Sequence, residues 1–244
     1  SKSNRCVFRS WMIMQTMKEI FEEIETNGGM TPSRRLRDIA NRFPEQIAFR
    51  DKRYGIWNEM SYKEFWMEVQ YVGCALNYFG IQKTEKVAIH SENRPEWLIA
   101  DIGVQAIGGI TVGLYPTNPP AEVQYLLSHS ESKILFAEDQ EQVDKALEVL
   151  DEVPNLSKII YFEEKGLFRY DSEKLMRWDE FLEIGKEEYE KNKDFVNFCI
   201  DEIKSEDVAL MIYTSGTTGP PKASMLSHGN MAVSYTHLRA HETG

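Results

Sequence analysis

Between Lys86 and Phe162 the hydrophobic period switches back and forth between two values, and that feature leaves few folds open. Val87-Ala88-Ile89 predicts a short strand; Trp97, Ala100, Val104 and Ile107 then recur at helical spacing, with Asn93 placed to cap and Pro95 in the first turn. Gly108-Gly109 breaks that helix, and Ile110 to Leu114 reads as the next strand. Pro120 to Ser128 predicts a helix with Val123, Leu126 and Leu127 inward, Ile134 to Ala137 a strand, Gln140 to Leu150 a helix, and Ile159 to Phe162 a fourth strand after Pro154-Asn155. Strands alternating with helices over short connections predict an α/β fold, a largely parallel sheet wound with helices on both faces by right-handed crossovers. Ligands of such sheets bind beyond the carboxyl ends of the strands.

The most apolar long window, Trp97 to Tyr115, has the length of a membrane span. It contains Asp101, Gln105 and the glycine pair, so a buried helix, a break and a strand explain it better. Upstream, Met17, Ile20, Phe21 and Ile24 predict one short amphipathic helix, and Leu36, Ile39, Ala40 and Phe43 a second that Pro44 stops. Ile47 to Phe49 and Ile56 to Met60 flank the polar stretch Asp51 to Gly55 and predict a hairpin. Ser61-Tyr62-Lys63-Glu64 has capping-box form, Phe65, Val69, Val72 and Leu76 supply the buried stripe of the helix it opens, and Gly80 is placed to end that helix in a left-handed conformation. The charged stretch Glu163 to Glu206 reads as a surface excursion with one amphipathic helix around Trp178, Phe181, Leu182 and Tyr189.

Charge and cysteine usage narrow the function classes. Against 39 Asp and Glu the chain has 28 Lys and Arg, a net charge of −11, with no basic cluster, so no nucleic-acid partner is expected. Cys6, Cys74 and Cys199 are far apart and odd in number, which excludes a disulfide framework and a CxxC metal pair and points to a reducing, cytoplasmic compartment. The apolar patch Met12-Ile13-Met14 is too short for a secretory signal. His237 and His241 lie one helical turn apart with no third ligand in the pattern, so no metal site is expected there.

The chemistry is written after the apolar run Val208 to Ile212, which reads as a strand buried on both faces. It stops at Tyr213-Thr214-Ser215-Gly216-Thr217-Thr218-Gly219-Pro220-Pro221-Lys222. Two glycines among hydroxyls allow a loop that turns its amides inward and approaches an anion closely, and Lys222 adds a formal charge for a polyphosphate. A Walker A loop needs glycine immediately before the lysine; Pro221 stands there instead, which disfavours a P-loop kinase or ATPase. The plainer alternative is a polar strand-to-helix connection.

Tyr213 to Lys222, continued by Met225-Leu226-Ser227-His228 and Asn230, resembles the phosphate-loop signature of the AMP-forming adenylate-forming enzymes, which include acyl- and aryl-CoA synthetases, luciferases and peptide-synthetase adenylation domains. His90 to Trp97, Gly113 to Pro120, Phe136-Ala137-Glu138-Asp139 and Leu167 to Asp171 ahead of Trp178-Asp179-Glu180-Phe181 are similar to stretches of the long-chain fatty-acid CoA ligases. The resemblance spans roughly Met17 to Met231. It implies ATP-dependent activation of a fatty acid to an acyl-adenylate, then transfer to coenzyme A, with ATP, magnesium and coenzyme A as cofactors and the fatty acid as substrate. By the same resemblance Thr214, Ser215, Gly216, Thr217, Thr218, Gly219 and Lys222 would hold the nucleotide, Lys222 and Thr218 would act on its phosphates, and His228 would lie near the acyl end. The ordinary alternative for His228 is a polar residue at a helix entry with Ser227 as its cap. An enzyme of insoluble acids is compatible with peripheral membrane association, although no anchor is visible; oligomeric state is not legible.

Two departures from the family pattern stand out. Ala223 and Ser224 follow the lysine where the family usually has glycine and a small aliphatic residue; if that position needs positive φ, Ala223 would carry a steric cost of about 1 kcal/mol. After Met231 the resemblance fades, and the family's later motifs, including its magnesium-holding glutamate and its small C-terminal domain, are not present. The expectation is therefore a partial N-terminal AMP-binding domain over residues 14–232, with residues 1–13 and 233–244 as non-family termini. Alternatives are an adenylation domain that loads a carrier protein, or a nucleotide-binding piece without catalysis.

Overall fold

The computed structural model describes residues 31–53, 56–214 and 221–231. The helix expected on Met17 to Ile24, and His237 and His241, lie outside them. Helix α1 (Pro32–Arg42) begins where the Thr31 side chain accepts a hydrogen bond from the Arg34 amide and Pro32 takes a position whose amide has no helical partner. Strands β1 (Ile47–Arg53) and β2 (Ile56–Ser61) pair antiparallel, as the hairpin pattern predicts. The capping box opens α2 (Tyr62–Tyr78): the Glu64 amide donates to Ser61 Oγ at 3.2 Å and the Ser61 amide to the Glu64 carboxylate at 2.7 Å. Phe65, Val69, Val72 and Leu76 are buried, and Gly80 follows with φ +82°.

The main sheet then builds from β3 (Lys86–His90), α3 (Pro95–Ala106), β4 (Ile110–Leu114), α4 (Pro120–Ser130), β5 (Ile134–Ala137), α5 (Gln140–Glu148) and β6 (Lys158–Tyr161). It is completed by β7 (Leu175–Arg177), α6 (Trp178–Lys191), α7 (Phe195–Asp201), β8 (Val208–Thr214) and β9 (Lys222–Ser227). The strand order is β7-β6-β5-β3-β4-β8-β9, every neighbour parallel except β8 and β9. Strand alternation sends Val87, Ile89, Ile134, Phe136 and Ile160 into a core with α1, α2, α3, α6 and α7. Ala88, Leu135, Ala137, Ile159 and Met211 face the other way, against α4 and α5. The apolar window at Trp97 to Tyr115 resolves into α3, a turn with Gly108 at φ +77°, and β4. Among the described residues no helix is long and apolar enough to cross a membrane.

Three local expectations need correction. Arg94, not Asn93, is the cap residue of α3, and its side chain makes no capping bond; it pairs instead with Glu96 at 2.8 Å and Glu163 at 3.0 Å. The helix after Asp139 ends at Glu148, and a 3₁₀ turn at Leu150–Glu152 takes over. The larger correction concerns Glu163 to Glu206, which is no surface excursion. It supplies edge strand β7 and two helices whose Phe181, Val196 and Ile200 are fully buried. Phe181 stacks on Phe79 with ring centres 6.0 Å apart and meets Phe136 edge-on at 5.4 Å. The few apolar positions are spaced among acids that stay outside, so the segment looks solvated until α2 offers its far side.

Gly185 sits where α6 presses against α2, and a Cβ there would lie 2.0 Å from the Tyr71 carbonyl oxygen. Gly185→Ala should therefore destabilise the chain by about 2 kcal/mol or more in urea unfolding. A change within about 0.5 kcal/mol, as at an exposed helix site, would contradict this packing.

Candidate functional site

Strand β8 has different neighbours on its two sides. Parallel pairing sets Val112 beside Met211 and Gly113 beside Ile212, while antiparallel pairing sets Ala223 opposite Tyr213 and Lys222 opposite Thr214. The hydroxyl-rich segment thus joins two paired strands, rather than a strand to a helix. Ser215, Gly216, Thr217, Thr218 and Gly219 lie outside the described residues, but both feet of the loop are defined. Thr214 and Lys222, both exposed, face each other across its mouth. Ala223 takes extended backbone: the non-glycine residues of positive φ among the described ones are Thr84 and Glu131, so the strain that a left-handed conformation would bring does not arise.

The period of two puts Leu210, Ile212 and Thr214 on one face of the sheet, with Lys222 beside them. On that face, at the carboxyl ends of β3 and β4, opens a cavity of about 300 Å³ lined by Ser91, Asn93, Trp97, Gly113, Tyr115 and Ile212. Its position follows from the winding. The chain leaves β3 toward α3 on one face and leaves β4 and β5 toward α4 and α5 on the other, so a crevice forms where the crossovers part. Gly113 keeps it open, for no atom of the described residues lies within 4 Å of where its Cβ would be. The residue patterns had not marked these as site residues; a glycine inside a buried strand was the available signal.

The surrounding loops are tied down. His90 Nε2 lies 3.0 Å from the Tyr115 carbonyl oxygen, the Tyr115 amide donates to Asn118 Oδ1 at 2.7 Å, and Lys145 donates to the Pro116 carbonyl at 2.7 Å. A hydrogen bond to a carbonyl requires Nε2 to carry the proton. Burial, helped by Lys145, pushes His90 down to about 4, so the ring is neutral. A larger cavity of about 720 Å³ nearby is lined by Asp51, Glu92, Glu138, Glu163 and Glu164 against Arg94 and Lys165. Its excess of carboxylates makes it a poor place for phosphate.

His228 does not join Lys222. It follows β9, its amide donating to the Asp207 carbonyl at 3.0 Å beside the amino end of β8. The five steps of extended chain from Lys222 to Ser227 span about 16 Å. Ser227 Oγ accepts the Asn230 amide at 3.3 Å, which is the geometry of a helix entry. The imidazole is fully buried, neither ring nitrogen has a hydrogen-bond partner among the described residues, and burial pushes it down to about 4 although Asp207 acts the other way.

The family described as AMP-binding enzyme matches the chain over residues 36–243. The chain belongs to this family. The chain is 32% identical over 208 residues to the long-chain-fatty-acid–CoA ligase ACSBG2 of Xenopus laevis, covering 85% of itself and 27% of that protein. It is 31% identical over 203 residues to the human protein of the same name, covering 83% and 30%. It thus spans little more than a quarter of the length of the curated relatives it matches. Acetoacetyl-CoA synthetase from Streptomyces lividans shares its fold with a TM-score of 0.69 at 18% identity, over 85% of this chain and 32% of that one. The anthranilate CoA ligase AuaEII, solved in complex with anthranoyl-AMP, does so with a TM-score of 0.64 at 21% identity, over 82% and 35%.

The buried histidines and carboxyls of the chain oppose one another as pH changes. His90 and His228 sit below their unfolded value near 6.5, so their contribution to stability is present above that pH and lost as pH falls toward 4. Asp101, raised to about 6 by burial, and Glu68, raised to about 7 by burial and then Glu96, favour the folded state as pH falls through the same range. Replacing one histidine separates the two. His228→Leu should lose about 2–3 kcal/mol less stability than the parent between pH 7 and pH 4.5, measured by urea titration at each pH. Parallel profiles would mean that His228 is not held neutral in the fold.

Proposed function

We propose that this chain carries the phosphate-gripping portion of an ATP-dependent long-chain fatty-acid CoA ligase. The observation that supports the reading most is the register of β9, which returns Lys222 to Thr214 across the mouth of a hydroxyl- and glycine-rich loop at the carboxyl edge of a parallel sheet. In the proposed reaction a fatty-acid carboxylate oxygen attacks the α-phosphorus of ATP and the bond to the bridging oxygen breaks, releasing pyrophosphate. The thiol of coenzyme A then takes the acyl group, and AMP leaves. Negative charge grows on the departing pyrophosphate, so donors fixed in advance lower the barrier.

The amides and hydroxyls of Ser215 to Gly219 would surround the β- and γ-phosphates, Thr218 and Thr214 would add hydroxyl donors, and Lys222 would supply the charge. Magnesium would enter on the triphosphate, whose oxygens suit a hard cation. The cavity beside Gly113 and Ile212 lies on the same sheet face as Thr214 and Lys222, and so offers apolar room next to the phosphates. His228, at the other end of β9, serves on this reading to seat the strand and takes no part in handling the acyl group.

Calorimetric titration of the 244-residue chain with magnesium ATP should show binding, and Lys222→Ala should weaken it roughly 10-fold or more, since a charge-assisted contact to phosphate is lost. Equal affinity in the two proteins would overturn the assignment.

A further inference from the structure

The loop proposed to grip phosphate has two feet, and one turn of α4 touches both. Tyr125 and His129 lie four residues apart on that helix, their rings stacked with centres 5.4 Å apart. Tyr213, the residue before Thr214, meets both rings nearly at right angles, at 6.5 Å from Tyr125 and 5.7 Å from His129. Its hydroxyl lies 2.8 Å from His129 Nδ1. The Tyr125 hydroxyl donates to the carbonyl oxygen of Pro221, the residue before Lys222, at 3.3 Å. Strand alternation turns Tyr213 and Ala223 toward the α4 face, away from Thr214, Lys222 and the cavity beside Gly113. The aromatic group therefore holds Tyr213 and Pro221 from the sheet face opposite Thr214 and Lys222.

We infer that Tyr125 and His129 are positioning residues, which hold Tyr213 and Pro221 and so fix where the paired ends of β8 and β9 sit on the sheet and where Lys222 points. The inference rests on the phosphate-binding reading above. Strand pairing sets Thr214 and Lys222 side by side, and the two bonds from α4 fasten that pair to the rest of the sheet. Tyr213 is almost wholly buried and its hydroxyl is pushed up to about 12, chiefly by burial, so it stays protonated and can donate to Nδ1. Without these bonds Lys222 would spend part of its time away from its binding position, and apparent affinity falls by that fraction.

The test separates hydrogen bonding from ring packing. Tyr213→Phe and Tyr125→Phe keep the rings and remove one hydroxyl each; His129→Gln keeps a hydrogen-bonding group that His129→Leu lacks. In calorimetric titration of the 244-residue chain with magnesium ATP, each Phe variant should bind about 3- to 10-fold more weakly, with the double variant weaker still. Thermal midpoints should stay within about 3 °C of the parent, and His129→Gln should bind more tightly than His129→Leu. Phe variants that bind like the parent, while Lys222→Ala binds weakly, would remove the clamp and leave the phosphate reading standing. Affinity that falls only in step with the thermal midpoint would make the cluster ordinary packing and also remove the clamp. If the parent and Lys222→Ala bind alike, the phosphate reading fails, and the clamp fails with it.

Discussion

Everything at the carboxyl edge of this sheet depends on the backbone pairing of β8. Its parallel bonds to β4 bring the end of β8 level with the crevice where the crossovers part, and its antiparallel bonds to β9 carry the chain straight back. That return makes Lys222 a neighbour of Thr214 instead of a residue some distance down a helix. A one-residue slip of β9 would turn Lys222 to the opposite face and Ala223 toward the crevice. Such a slip is resisted on β9 itself, where Ala223 packs with Tyr213 on one face and Leu226 with Leu210 on the other.

The overall charge of −11 works against an anionic ligand, so attraction has to be local. At physiological ionic strength charges beyond about 8 Å are largely screened, which lets a lysine act despite distant carboxylates. The nearby carboxylates are instead gathered around the larger cavity, where Arg94 partly offsets them through Glu96 and Glu163. Glu138 accepts the Glu92 amide at 2.6 Å and the Ser91 hydroxyl at 3.1 Å, so one of these acids has the structural task of joining the loops after β3 and β5.

Wherever a segment decides its own conformation, the sequence is legible. The switch between periods places β3, β4 and β5 within a residue of their observed bounds, and Ser61, Glu64 and Gly80 mark both ends of α2 because caps are made by neighbouring residues. Features that depend on distant partners are not legible. Phe181, Val196 and Ile200 are too sparse among acids to announce a core segment, and they become one only because α2 presents a complementary face. Residues 222–227 mix polar and apolar side chains in the manner of an edge strand, and only pairing with β8 shows that His228 is carried away from Lys222. The expectation of an anion at the loop rests on its composition, whereas the cavity beside Gly113 needs three strands to be assembled before it exists.

Shared ancestry with the AMP-binding enzymes accounts for the fold, while the phosphate assignment turns on one local geometry. The most direct test is a crystal structure of this chain with magnesium and a non-hydrolysable ATP analogue. The account predicts the β- and γ-phosphates within hydrogen-bond reach of Thr214 and Lys222, with the adenylate end toward the crevice that Gly113 keeps open. A triphosphate seated elsewhere, with Thr214 and Lys222 facing only solvent, would contradict it.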